Sequence, residues 1–485
     1  MYDHHDETGT VCTRTAMLPP ITGLSRRGFL QQLGLHALTL LPALCPARAL
    51  ALPAPASTTS PFLQGINAYY LQVEAYRRAA RGKFRHMRGA IHTYLTDELQ
   101  LPAVQQQCRI NSIRYWAFND YPDLHGIAPD SATDGRLWRD SRQVDESALE
   151  TLGMLSEDLE QLGFTLVPVL SNFWPSYGGI LQYLSWAGEL SAKDYVDALC
   201  GRRTVELYEA HTIPFFTSPA AEQLFRQHLD AILNALRPLH AIHTLELMNE
   251  PRGKNVCSLE NRPLPDGRMS ADVVASWLNR QATWIRQRFF PTDQTPFLSS
   301  GEEGWLELPP AGAGLHALTP AGQAYEGIDL KKNLSWQPDG ISIGSVHMYP
   351  HPVTALPQKN ICGDPFTDRR GWGHLSNDPG RADMEHFVTL GEEWLDSRAD
   401  ALRGSPWYIG EMGWCRPSGT EGHTPAACPE LRRERHRLYR RWSEQARDRG
   451  AVGVFVWMLN GQDHADDFYG MDRHTLASVF TETMS

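Results

Sequence analysis

Eight short apolar runs recur along this chain, and stretches with helical spacing separate them. The runs are Phe62–Ala68, Ser112–Ala117, Thr165–Ser171, His243–Asn249, Pro296–Ser300, Ile341–His347, Trp407–Glu411 and Val452–Trp457. Their length and apolar character predict strands. Between them, Leu149, Leu152, Leu155, Leu159 and Leu162 fall at three- or four-residue steps, which predicts a helix over Glu146–Leu162. Ser218-Pro219 reads as an N-cap followed by a first-turn proline, and the helix it opens runs to about Leu236. Ser270–Arg288, Arg381–Leu402 and Leu431–Arg449 carry further helical patterns. Eight strand–helix alternations point to the α/β class and to a single (β/α)8 TIM barrel with extended loops at its active-site face. An open, doubly wound sheet shares the alternation. Its usual nucleotide signatures, GxGxxG and GxxxxGK[ST], are missing here.

Length alone would suggest about three domains, yet barrels with long loops exceed ~400 residues as one unit. The chain has 485 residues, 42% hydrophobic and 21% charged, enough to build a large core. Its formal charge is −11, which argues against nucleic acid, because phosphate contacts need an excess of Lys and Arg.

The first 51 residues read as a targeting segment. Ser25-Arg26-Arg27-Gly28-Phe29-Leu30 has the twin-arginine pattern, followed by an apolar run from Leu33 to Leu44 and by Ala47-Arg48-Ala49 or Ala49-Leu50-Ala51 at signal-peptidase spacing. The other reading, an accidental Arg pair before a membrane anchor, needs a longer run than this Pro-interrupted one. The expected organisation is a signal over 1–51, a flexible linker over 52–61 rich in Ala, Pro, Ser and Thr, and a catalytic barrel over 62–485. Location is then periplasmic or secreted. No later stretch approaches ~20 apolar residues, so no membrane contact is expected after signal removal. A monomer is expected. Six cysteines follow the signal, at positions 108, 200, 257, 362, 415 and 428, and Cys415–Cys428 is the favoured disulfide. No Cys/His spacing suggests zinc, and no cofactor is implied.

Polar and aromatic residues gather at the carboxyl ends of the predicted strands, the end where barrel enzymes build their active sites. In chain order these are Asn67, Tyr69 and Tyr70; Arg114, Trp116 and Asn119-Asp120; Asn172, Trp174 and Tyr177; and Asn249-Glu250-Pro251-Arg252. Then come Glu302-Glu303-Gly304-Trp305, His347 and Tyr349, Glu411 and Trp414, and Trp457 and Asn460. Glu250 and Glu411 close strands four and seven, which face each other across a barrel mouth. Glycosidic cleavage needs such a pair, one carboxyl protonating the leaving oxygen and the other attacking or stabilising the oxocarbenium-like centre. Asn249 is placed to hold a sugar 2-hydroxyl, and Arg114 and Tyr349 to hydrogen-bond Glu411 and keep it ionised.

LELMNEPR (Leu245–Arg252) and YIGEMGW (Tyr408–Trp414), with HMYP (His347–Pro350) between them, resemble the catalytic strands of glycoside hydrolase family 5. GINAYYL, RYWAFND, SNFWPSYGG, FFTSPAAEQLFRQHL and GEEGW follow in the order seen in that family's endo-β-1,4-mannanases, so the resemblance covers roughly Phe62 to Asn460. It implies a retaining hydrolase acting on β-mannan or another neutral β-linked polysaccharide or oligosaccharide. By this likeness Glu250 is the acid/base and Glu411 the nucleophile. Substrate binding falls to Asn67, Tyr70, Arg114, Trp116, Asn172, Trp174, Asn249, Glu303, Trp305, His347, Tyr349 and Trp457. The sequence departs from the mannanases at Ser171-Asn172-Phe173-Trp174 and around Glu411, which leaves open a β-glucanase or an exo-β-mannosidase. A carbohydrate-binding barrel without activity is the alternative from another class.

Other features have plainer readings. Adjacent residues on a strand face opposite ways, so at most one of Glu302 and Glu303 points inward. Pro350 breaks any shared helix face between His347 and His351, which counts against a metal site. Glu246 shares the inward parity of Glu250 but lies roughly 13 Å lower, where a structural hydrogen bond or ion pair is expected.

Overall fold

All eight apolar runs form strands, and all the strands are parallel. The computed structural model describes residues 61–120, 135–200, 202–237, 239–253, 263–290, 295–306, 327–349, 384–413, 429–461, 470–471 and 473–480. Within them lie β1 (Leu63–Asn67), β2 (Ser112–Trp116), β3 (Thr165–Val169), β4 (Thr244–Glu246), β5 (Phe297–Ser299), β6 (Gly344–Met348), β7 (Trp407–Met412) and β8 (Gly453–Val456). Hydrogen bonding orders them β5-β4-β3-β2-β1-β8-β7-β6. The seam between β5 and β6 is drawn together by a parallel bridge, Ser299 to Ile343, and by Ser342 N–H donating to the Leu298 carbonyl at 2.8 Å. The result is a nearly closed eight-stranded barrel with helices between its strands, and the doubly wound alternative is excluded.

A parallel strand pair needs a long crossover, and the predicted helices supply several of them. Asp145 accepts from the Ala148 N–H to start the helix Glu146–Gln161, which buries Leu152, Leu155 and Leu159. Ser218 caps Pro219–Leu236 through the Ala221 N–H at 3.0 Å, and that helix buries Phe225, Leu229, Ile232 and Leu233. Helices Ser270–Phe289, Met384–Ala401 and Pro429–Asp448 match the remaining patterns. Shorter helices such as Leu71–Arg81, Leu101–Cys108, Gly179–Trp186 and Thr204–Thr217 were not legible from periodicity. Thr204–Thr217 even holds Pro214 in its interior. No helix among the described residues is long and apolar enough to cross a membrane.

Leu63, Val167, Ile343, Tyr408 and Phe455 fill the barrel interior below the site. Gly65 leaves room for the Phe455 ring, which would lie 2.1 Å from an added Cβ. Cys200 is disulfide-bonded, and the buried Cys108 thiol donates to the Arg473 carbonyl at 3.2 Å. The favoured pair Cys415–Cys428, Trp414, His351 and the targeting segment lie outside the described residues.

Candidate active site

β7 carries Glu411 to the barrel mouth, with an irregular register on both sides of it. β4 is short, but the chain keeps pace with its neighbours beyond it. Leu247 N–H donates to the Ser299 carbonyl, Asn249 N–H to Ser171 and Glu250 N–H to Gly301. These bonds deliver Glu250 to the same mouth, at a left-handed backbone φ of 51°. One carboxylate oxygen each of Glu250 and Glu411, and a ring nitrogen of His347, lie within 4.8 Å of one another. The carboxylates that the strand pattern paired across the barrel do converge.

Arg114 on β2 organises the floor beneath them. Its Nε and Nη2 clamp Glu246 at 2.9 and 2.8 Å, Nη1 reaches Glu411 Oε1 at 2.6 Å and Asn67 Oδ1 at 2.9 Å, and Nη2 also reaches Asn249 Oδ1 at 2.8 Å. The Tyr408 hydroxyl adds a hydrogen bond to Glu246. Burial opposes the Arg114 charge, but Glu246 and Glu411 outweigh it and hold the guanidinium above its ordinary value. The deep hydrogen bond or ion pair expected for Glu246 is therefore present, and it ties the nucleophile candidate into the barrel core. Tyr349 donates to Glu411 Oε2 at 2.5 Å. Burial raises the Glu411 carboxyl above its ordinary range and the charge of Glu250 adds to this, while His347, Arg114 and Tyr349 pull it back.

Glu250 is held differently. His347 Nδ1 lies 2.9 Å from Oε1, and the Trp174 indole N–H donates to Oε2 at 2.6 Å. Asn172 Oδ1 accepts from the Trp174 backbone N–H at 3.2 Å and from Asn249 Nδ2 at 3.2 Å, so it orients both neighbours. Distance alone would let Glu250, His347 and Glu411 share a cation. Their donor chemistry argues otherwise, because Arg114 already places positive charge on Glu411, and Tyr349 and Trp174 fill an oxygen on each carboxylate.

An aromatic rim surrounds this floor. Tyr69 stacks on Trp457 with ring centroids 5.4 Å apart and 4° between planes, and packs against Trp116 and Tyr177. Trp174 is half-buried, and Trp116 and Trp457 keep a few per cent of their surface exposed. Tyr70 does not. It is fully buried and its hydroxyl donates to the Leu459 carbonyl at 2.8 Å, because residue 70 already caps the helix that begins at Leu71. Tyr69 takes the expected place, and its parity with Asn67 along the strand was the available signal.

Several other expected sugar contacts are enclosed as well, among them Arg114, Asn172 and His347. Asn67 is buried, with Nδ2 donating to the Gly410 carbonyl at 3.0 Å. Glu303 and Trp305 are wholly enclosed. Glu303 grips Arg252 through two bonds of 2.5 and 2.6 Å and accepts from the Trp305 indole at 3.0 Å. Arg252 lies over the Trp174 ring at 4.8 Å. Glu302 faces away and accepts from Ser300 and Asn333 at 2.7 and 2.8 Å, and burial pushes its carboxyl up to about 8. The strand-parity rule for these two glutamates holds in its result, although both lie beyond the end of β5.

Comparison with known proteins agrees with this geometry. The family profile described as "GH family 5 beta-mannosidase-like" matches residues 57–309. The mannan endo-1,4-beta-mannosidase 1 of Oryza sativa subsp. japonica is 24% identical over 440 residues, covering 87% of this chain and 79% of that protein. The mannan endo-1,4-beta-mannosidase A of Podospora anserina is 25% identical over 241 residues, and the match spans 49% of this chain and about half, 51%, of that relative. Among solved structures, the endo-1,4-beta-D-mannanase of Thermotoga petrophila shares the fold with a TM-score of 0.55 at 19% identity, covering 85% of this chain and 94% of that one. The profile takes in more than half of the chain, and with it the NEP strand, so this protein belongs to the β-mannosidase-like members of glycoside hydrolase family 5.

Proposed function

We propose that the protein hydrolyses β-1,4-mannosidic bonds in mannan or manno-oligosaccharides with retention of anomeric configuration. The observation that carries this reading is the approach of Glu250 and Glu411 to within 4.8 Å. Retaining enzymes keep their two carboxyls about 5–5.5 Å apart, whereas inverting ones leave roughly 6.5–9.5 Å for a water. Glu411 attacks the anomeric carbon while Glu250 protonates the departing oxygen, and a glycosyl-enzyme ester forms. Water then attacks that ester, and Glu250 takes its proton. The relatives' names supply the sugar, and a neutral polyol suits an aromatic-rimmed mouth where Arg114 is engaged by carboxylates and Arg252 by Glu303.

Purified protein offered polymeric mannan, glucan, xylan and aryl glycosides is expected to favour the β-mannosides, with the β-anomer appearing first by NMR. Preference for glucan moves the protein to a different substrate, and an α-anomer as first product refutes double displacement. Export is the second part of the proposal. The Arg26-Arg27 pattern supports passage through the twin-arginine route to the periplasm or beyond. Lysine at both positions should trap the protein in the cytoplasm, and undiminished export would remove the signal assignment.

A further inference from the structure

We infer that Trp174, braced by the Arg252–Glu303 ion pair, is a positioning residue that decides which oxygen of Glu250 carries the proton. This rests on the acid/base role proposed above for Glu250. An indole N–H is a donor with no acceptor capacity. Trp174 Nε1 stands 2.6 Å from Glu250 Oε2, and a carbonyl oxygen accepts that N–H better than a hydroxyl oxygen does, so the bond favours Oε2 as the unprotonated oxygen. The transferable proton therefore sits on Oε1, where His347 Nδ1 lies 2.9 Å away.

The indole is not loosely placed. Its backbone N–H is tied to Asn172 Oδ1, and Phe173 and Tyr208 pack against its ring at centroid distances of 5.0 and 5.8 Å. Arg252 covers the ring at 4.8 Å and is itself fixed by two bonds to enclosed Glu303. Arg252 lies two residues beyond Glu250, so one loop carries both the acid and the cation that steadies its donor. Among the described residues, the charged and titratable groups facing Glu250 include His347 from β6, Glu411 from β7 with Arg114 and Tyr349 behind it, and Arg252 from its own loop. Trp174 adds a hydrogen bond that favours the ionised carboxylate, which makes Glu250 a stronger acid and readies it to give up its proton.

The test is Trp174→Phe, which keeps an aromatic ring under Arg252 and removes the N–H together with part of the indole. The alkaline limb of kcat/KM on an aryl β-mannoside is expected to rise by about one pH unit, since charge-assisted bonds of this kind shift a carboxyl by that order. Glu303→Gln, which loosens the brace, should move the limb the same way by less, and melting curves check that both variants fold. A raised KM with the limb unmoved would make Trp174 only a sugar platform and overturn the inference. Glu250→Gln, assayed on a dinitrophenyl β-mannoside, separates the two levels. If the alkaline limb persists there, Glu250 is not the acid and the underlying assignment fails. If it vanishes there but stands still in Trp174→Phe, only the present inference fails.

Discussion

Glu411→Ala is expected to lose turnover by on the order of 10⁴-fold or more, with the fold intact. No other carboxylate among the described residues of β7 can attack the anomeric carbon, and the ester intermediate cannot form without one. Glu250→Ala should behave differently. Substrates with good leaving groups need little proton assistance, so their first step survives, and deglycosylation stalls for want of a base. Azide, a small nucleophile that needs no deprotonation, should then restore part of the rate. Steady-state and pre-steady-state kinetics on dinitrophenyl and manno-oligosaccharide substrates read both effects. A Glu411→Ala protein with near-normal kcat would remove the catalytic assignment, and it would favour a barrel that only grips carbohydrate if wild-type turnover were also absent.

Arg114→Met is expected to cost about 3–5 kcal/mol of stability as well as activity, because breaking a buried ion pair strands its partners. Glu246 and Glu411 are both almost wholly enclosed, and this guanidinium meets both. The side chains are close in volume, so the loss is electrostatic and not a packing defect. Adding Glu246→Gln to the variant should return part of the stability by removing one stranded charge, while activity stays low. Denaturant midpoints for the two single variants and the double variant measure the coupling. A loss under about 1 kcal/mol in Arg114→Met would falsify the view that this residue neutralises the floor of the site.

The barrel was legible because strands buried on both faces leave continuous apolar runs, and its five long helices repeat leucine-sized residues at regular steps. Short helices such as Gly179–Trp186 left too few turns to show a period. At the site, the two glutamates, Arg114, His347 and Tyr349 could be named because strand ends in a barrel share one mouth. What could not be read was depth. Parity with Asn67 separates Tyr69 from Tyr70, but not how deeply each is buried, which the turn into the next helix decides. Likewise Glu303 and Trp305 look like sugar contacts in a string of letters, and only their enclosure around Arg252 shows that they support the loop of Glu250. Contacts between residues some fifty positions apart leave no local trace in sequence.

The backbone at Glu250 has a further meaning. A φ of 51° is territory that glycine or asparagine enters readily, while a glutamate held there costs about 1–3 kcal/mol. Folding thus sets aside part of its own stability at a position whose side chain the proposed reaction uses in both of its steps. Glycine here would relieve that strain but would strand the Trp174 and His347 groups that meet the carboxylate. Under the proposed mechanism the glutamate at this angle is stability given up for turnover.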